Sequence, residues 1–191
     1  MSAAPGYDSI WPFMGKAGNI ATSDGEEIEI MPSEVSVNLD NAPAYWFLNA
    51  LHLLLANNES GDGVYSLIHL TAPPRFETPY HLHHTEDEAF YLLEGELTVI
   101  LDGKKIVAEP GSYVFVPRGV AHGFRNSSDK DSRVLIHAIP GGKVGFVGMM
   151  LEMAIPIHDR HKLPEATPPD LKKLSSLCEQ NNIRILGPLP I

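Results

Sequence analysis

Two histidines and a glutamate occupy positions from which β-strand geometry could bring their side chains together. His81 and His83 are two residues apart in the stretch PYHLHHTEDEAFYLLEG, and residues at i and i+2 of a strand share one face. Glu88 follows a polar turn, and its strand face also carries Phe90 and Leu92. We therefore expect two converging imidazoles and an inward-facing carboxylate.

A third histidine lies further along the chain, in the run AHGFRN. His122 shares a strand face with Phe124 and Asn126, so its imidazole can reach the same interior. A charged carboxylate alone in an apolar interior has a large desolvation cost, which a divalent cation offsets. Three imidazoles and one carboxylate suit Fe, Mn, Co, Ni, Cu or Zn without choosing among them. The alternative interpretation of HHTEDE is a solvated loop with surface histidines.

Short β-type runs surround these residues. Between residues 44 and 140 the runs are bounded by Gly, Pro, Asn or Asp, which is typical of a sandwich or barrel. The pair Asp102-Gly103 predicts a two-residue hairpin between residues 97–101 and 105–108. After residue 140, the run GGKVGFVGMMLEMAIPI fits either a helix or a strand.

The last section of the chain predicts a helix followed by a strand, both packed on the barrel. It begins with two prolines and Asp170, and four apolar residues then follow at helical spacing. These residues are Leu171, Leu174, Leu177 and Cys178. The sequence thus predicts a single domain in three parts: an N-terminal arm (1–43) in which EEIEIM could pair at a sheet edge, a barrel (44–140) and a C-terminal extension (141–191).

Composition makes several partners unfavourable. The 14 basic and 24 acidic residues give a net charge of −10, so nucleic acid and anionic membranes are poor partners. Cys178 is the only cysteine, the first residues lack a signal-peptide pattern, and no apolar run reaches membrane-spanning length. The expected location is therefore cytoplasmic.

Two segments resemble the two sequence motifs of the cupin superfamily. HLHHTEDEAFYLLEG resembles the first motif, with two histidines one residue apart, a glutamate after four more residues and a glycine after another six. GSYVFVPRGVAHGFRN resembles the second. Its matching residues are Gly111, Pro117, Gly119, His122 and Asn126. The resemblance covers residues 44–140 and implies an all-β fold, the cupin double-stranded β-helix or jelly-roll barrel.

Within that superfamily the sequence resembles the single-domain quercetinase-type dioxygenases. The resemblance implies one divalent transition metal, bound by the following residues: His81, His83, Glu88 and His122. It also implies that Glu88 is the catalytic acid/base, which takes the 3-hydroxyl proton of a metal-bound flavonol before reaction with O2 and loss of carbon monoxide. A metal lowers the pKa of such a hydroxyl, and a carboxylate within hydrogen-bond distance accepts the proton. We predict a metal-dependent dioxygenase for a small aromatic or enolisable, flavonol-like substrate.

Four aromatic residues are candidates for the wall of a substrate pocket. Phe90 and Phe124 share strand faces with predicted ligands, although both could instead be core packing. Tyr113 and Phe115 are further candidates, because both faces of SYVFV are apolar and parity does not choose between them.

The sequence is also compatible with two other functions and with a homodimeric assembly. A redox-neutral isomerase, cyclase or lyase would use the cation to polarise a carbonyl and Glu88 to move a proton, without O2. A non-catalytic module would hold a small molecule or a metal and would not need Glu88. The resemblance also implies a homodimer, with the N-terminal arm as the natural element to exchange.

Other polar residues near these runs have simpler interpretations. Glu86 and Asp87 are expected to be solvated turn residues, although either could orient a ligand imidazole. His52, His69 and His137 lie inside apolar strands and are expected to be hydrogen-bonded core histidines.

Overall fold

The chain folds into β-strands with two short helices. The computed structural model describes residues 18–21, 27–30, 37–57, 65–142 and 144–191. In chain order the elements are β1 (Gly18–Ala21), β2 (Glu27–Ile30), β3 (Ala44–Phe47), β4 (Ala50–Asn57), β5 (Ser66–Ala72), β6 (Tyr80–His83), β7 (Asp87–Glu94), β8 (Leu97–Leu101), β9 (Lys104–Ala108), β10 (Tyr113–Val116), β11 (His122–Arg125), β12 (Ser132–Ile139), α1 (Phe146–Met153), β13 (Ile155–Ile157), α2 (Leu171–Gln180) and β14 (Ile183–Gly187).

Two antiparallel sheets form the body of the fold. The larger has the strand order β10-β7-β12-β5-β4-β3-β13, and the smaller has the order β14-β6-β11-β8-β9. This is the double-stranded β-helix of a jelly roll, which confirms the all-β prediction. In a separate two-stranded sheet β1 pairs with β2, whose four residues lie within the EEIEIM segment. The other arm residues before residue 37 lie outside the described part of the chain, so the proposed domain boundaries stay a prediction.

Alternation along the strands determines which side chains enter the core. On β7, Phe90 and Leu92 are buried while Tyr91 and Leu93 are exposed, as period-2 geometry requires. Residues from both sheets meet in one apolar cluster. The space between the sheets is therefore lined by alternate residues, and the predicted metal ligands occupy that same face.

Two tight turns hold the strands in register. Asp102 and Gly103 both have positive φ, 49° and 72°, and this type I′ geometry joins β8 to β9, which confirms the predicted hairpin. A second such turn was not predicted from the apolar run YWFLNALHLLL. There Leu48 and Asn49 have φ values of 48° and 64° and separate β3 from β4.

The C-terminal extension adds strands to both sheets. The run that fitted either a helix or a strand contains both, because α1 ends before Pro156 and β13 then pairs with β3. The predicted terminal helix and strand are confirmed as α2 and β14, with Asp170 accepting the amide N–H groups of Lys172 and Lys173 as the helix cap. Leu171 is 65% exposed, so it does not share the buried face of α2.

None of the helices within the described residues is long and apolar enough to cross a membrane.

Candidate metal centre

The predicted ligands come from three strands in two sheets. His81 and His83 lie on β6, and His122 lies on β11, directly paired with His81. Glu88 reaches them from β7 in the opposite sheet. One ligand atom from each of the four side chains lies within 4.8 Å of all the others, and three of the four residues are buried. The structure therefore brings together the whole set that the sequence predicted.

Each imidazole is held through its Nδ1 atom. His81 Nδ1 lies 2.8 Å from the carbonyl oxygen of Pro79, and His122 Nδ1 lies 3.0 Å from that of Val120. His83 Nδ1 lies 3.1 Å from the carboxylate of Glu86. A proton on each Nδ1 satisfies these acceptors and leaves each Nε2 with a lone pair directed into the site.

With the proton on Nδ1, each imidazole presents the lone pair of its Nε2 atom to another hydrogen-bond acceptor. The Nε2 atoms of His81 and His83 are 3.2 Å apart, and His122 Nε2 is 2.8 Å from Glu88 Oε2. Two lone pairs at such distances repel each other unless a proton or a cation lies between them. In the metal-free protein a proton on Nε2 therefore makes His122 the hydrogen-bond donor to Glu88, and a bound cation would take the place of that proton. A cation bonded to its ligands at about 2.1 Å would keep neighbouring ligand atoms about 3.0 to 3.4 Å apart, close to these separations. The donor set therefore fits a transition metal.

Burial and neighbouring charges control the pKa values of the metal-free site. Burial, together with the charges of His122 and His83, lowers the pKa of His81 to about 3. Burial alone would lower the pKa of His83, but its hydrogen bond to Glu86 and the charge of Glu88 raise it overall. Burial alone would raise the pKa of Glu88, yet the hydrogen bond from His122 and the charges of the imidazoles lower it to about 2. Glu88 is thus ionised at neutral pH, which is the form that a metal ligand needs.

The two acids before Glu88 differ from the expectation of solvated turn residues. Glu86 is 3% exposed and accepts hydrogen bonds from His83 Nδ1 and from the backbone N–H of Phe146. It therefore holds the imidazole of His83, a predicted ligand, which is the contact that the second possibility for this residue requires. Asp87 accepts hydrogen bonds from the backbone and side chain of Arg118, which hold its pKa at about 2.

The candidate wall residues divide into an inner and an outer pair. Phe90 and Phe124 are buried and pack with ring centroids 5.1 Å apart; Phe124 lines the cavity beside the metal site. Tyr113 and Phe115 are 60% and 46% exposed and do not line that cavity. The expectation that Tyr113 and Phe115 line the substrate pocket is therefore corrected, because Val114 and Val116 are the inward-facing residues of β10.

A small apolar cavity of about 50 Å³ adjoins the ligands. That volume holds only a few water molecules and is far below the roughly 300 to 1,000 Å³ of common ligand pockets. The sequence did not predict much of its wall, which comes from the β3–β4 turn and the C-terminal extension. These wall residues include Leu48, Phe146, Met149, Leu174, Cys178 and Ile185.

The three histidines expected in the core have different environments. His52 is buried with its Nδ1 atom 3.2 Å from the carbonyl oxygen of Ala50, and His137 bonds the hydroxyl of Tyr65. The expectation is confirmed for His52, whereas His137 is hydrogen-bonded but only half-buried. It is wrong for His69, because neither ring nitrogen has a hydrogen-bond partner in the described part of the chain.

We expect His52 to make the protein sensitive to acid. Burial lowers its pKa from 6.5 to about 4, so the unfolded chain binds its proton first. The stability from neutral His52 is complete above pH 6.5 and is lost as the pH falls to about 4, a contribution of about 3 kcal/mol. Urea titrations of the metal-free proteins give the free energy of unfolding at each pH. Between pH 7 and pH 4 this free energy should fall less in His52→Asn than in wild type, by the amount given above. His84 is exposed, so His84→Asn is the control and should lose as much stability as wild type. Equal losses of unfolding free energy in wild type and His52→Asn would contradict the expectation.

Comparison with known proteins shows which proteins this part of the chain is similar to. Residues 68–138 match the family model described as "Cupin domain", and they include all four ligands. Quercetin 2,3-dioxygenase of Bacillus subtilis is 33% identical over 93 residues, which are 48% of this chain and 27% of that protein. The tetracenomycin polyketide synthase protein TcmJ of Streptomyces glaucescens is 26% identical over 120 residues, 63% of this chain and 80% of that protein.

A solved structure agrees with the fold. The structure of "a predicted oxalate decarboxylase" from Thermotoga maritima has a TM-score of 0.52 at 21% identity and covers 55% of this chain and 98% of that chain. The architecture is a cupin fold, and the segment that matches the cupin domain model contains a histidine and glutamate group that could bind a metal ion.

Proposed function

We propose that this protein is a metal-dependent dioxygenase for a small aromatic or enolisable substrate. The observation that carries the proposal is the convergence of three imidazoles and the Glu88 carboxylate within 4.8 Å of one another, with His81, His83 and Glu88 lining a small apolar cavity. The resemblance to quercetinase-type cupins supports the oxygenase class. A flavonol is larger than this cavity of about 50 Å³, so a smaller enol or catechol is the better substrate.

The protein's own residues supply binding, proton transfer and exclusion of water. His81, His83 and His122 would hold the metal together with Glu88. When bound, the metal supplies a Lewis acid that lowers the pKa of a substrate hydroxyl. Glu88, ionised at neutral pH, accepts that proton at its carboxylate oxygen, and the apolar wall keeps water away from the resulting anion.

The second candidate is a redox-neutral enzyme acting on an enolisable ketone. It is favoured by the relative from Streptomyces glaucescens, whose name refers to a polyketide synthase and of which this chain covers 80%. A polyketide contains several carbonyl groups that enolise, and Glu88 could move a proton between carbon and oxygen without O2.

One experiment distinguishes these functions. We expect the purified protein to contain a transition metal by elemental analysis, and O2 uptake with small enols or catechols to exceed that with a flavonol. Chelation should abolish the uptake, and adding back Fe, Mn, Co, Ni, Cu or Zn one at a time should identify the active metal. Turnover without O2 uptake would support the redox-neutral enzyme instead. Tight binding without product would support a binding module, and a protein that binds no metal would exclude both enzymes.

A further inference from the structure

A buried carboxylate links the candidate metal centre to the helix that covers it. Glu86 lies between β6 and β7 and is 3% exposed. Its Oε2 atom accepts a hydrogen bond from His83 Nδ1 at 3.1 Å and another from the backbone N–H of Phe146 at 2.7 Å. The two donors are 63 positions apart (146 − 83) and meet on one oxygen.

The helix α1 depends on this carboxylate at its first turn. Gly145 occupies the cap position and has no side chain, and within the described residues Glu86 is the acidic side chain that accepts the N–H of Phe146. A negative charge at a helix N-terminus is stabilising. Gly145 has a φ of 121°, and a β-carbon there would overlap the Glu86 carboxylate. Close packing therefore fixes the position of this carboxylate.

The same helix forms part of the wall of the cavity. Phe146 and Met149 both line it, and the ring of Phe146 stands edge-on to that of His83, with centroids 6.4 Å apart and an interplanar angle of 79°. Any movement of α1 away from the cavity would remove one of the two donors from Glu86 and the ring that covers His83.

We propose that Glu86 is a positioning residue that couples metal binding at His83 to closure of the cavity by α1. This inference rests on the proposed metal site. A cation on Nε2 withdraws electron density from the imidazole and strengthens the Nδ1–H hydrogen bond to Glu86, which holds the carboxylate where it caps α1. By linkage, the factor by which docking of α1 raises metal affinity equals the factor by which the metal stabilises the docked helix.

The test measures metal affinity and helix protection separately. Dissociation constants for Co²⁺ and Zn²⁺ are obtained by competition with a chromophoric chelator, and hydrogen exchange is followed in the peptide 144–154 with and without metal. We expect Glu86→Ala to weaken metal binding by about 10- to 100-fold and to abolish the metal-induced protection of α1. Glu86→Gln keeps an acceptor oxygen without the charge, so it should lose less metal affinity and less protection of α1 than Glu86→Ala. Glu109→Ala, at an exposed position, is the matched control and should behave as wild type.

A second variant approaches the same contact from the helix. Gly145→Ala leaves Glu86 in the sequence but displaces its carboxylate, so it should also lower affinity and protection, and it should change the visible spectrum of bound Co²⁺. The proposal is overturned if wild type binds metal but α1 exchange does not respond, or if Glu86→Ala binds metal within twofold of wild type. Those results would leave the metal site intact, whereas a wild-type protein that binds no metal would overturn the proposed function itself.

Discussion

Replacing Glu88 by glutamine is expected to lower the metal-dependent kcat by about 100- to 10,000-fold. The amide can still offer an oxygen to a cation, but it cannot accept a proton from the substrate. Glu88 is buried, and in the metal-free site its pKa of about 2 keeps it ionised across the neutral range, so its carboxylate carries no proton of its own. Steady-state turnover of Glu88→Gln at saturating metal, on the compound that wild type converts fastest, measures the effect.

Two controls separate chemistry from metal loss in that experiment. Elemental analysis of Glu88→Gln gives the occupancy, so the rate can be expressed per bound metal, and Glu109→Gln tests a glutamate at an exposed position. A Glu88→Gln protein that retains wild-type turnover per metal would show that this carboxylate does not transfer the proton.

The second large effect is expected on stability. In the metal-free protein, His122 is 1% exposed and lies 2.8 Å from the Glu88 carboxylate. His122→Ala leaves a buried negative charge without its principal donor, which should lower the free energy of unfolding by on the order of 3 kcal/mol. Urea denaturation at pH 7 in the presence of a chelator measures this change.

A double-mutant cycle identifies the cause of that loss. Removing the charge as well, in His122→Ala combined with Glu88→Gln, should restore part of the stability, because the amide costs less to bury than the carboxylate. Strictly additive losses would mean that the cavity left by the imidazole, rather than the uncompensated charge, destabilises His122→Ala.

The ligand set could be predicted because strand geometry is local. Residues two apart on a strand must share a face, which placed His81 and His83 together, and the face of Glu88 followed from Phe90 and Leu92. Turn chemistry was equally local, since Asp102-Gly103 suits the positive φ values of its hairpin. These face assignments needed no knowledge of which strands become neighbours, whereas the meeting of all four side chains at one metal was what the resemblance to cupins implied.

The parts that could not be predicted depend on distant segments. Glu86 lies in a polar run whose composition predicts a solvated turn. It can be buried because the backbone N–H of Phe146, 60 residues later, donates a hydrogen bond to it. Both faces of β10 are apolar, so only the packed sheets show that Val114 faces inward and Phe115 outward. The small volume of the cavity likewise results from the packing of α1, α2 and β14 over the ligands.

The strand β6, which carries two of the predicted ligands, lies between partner strands from different parts of the chain. On one side β6 pairs with β11, and on the other it pairs with β14, where Ile183 lies opposite His83 and Ile185 opposite His81. An engineer who transplanted only residues 68–138 into another scaffold would carry over every donor atom but expose one edge of β6. That graft would have unsatisfied amides beside its histidines and a tendency to recruit foreign strands. A transplanted segment that keeps both edges of β6 paired therefore has to extend to Gly187.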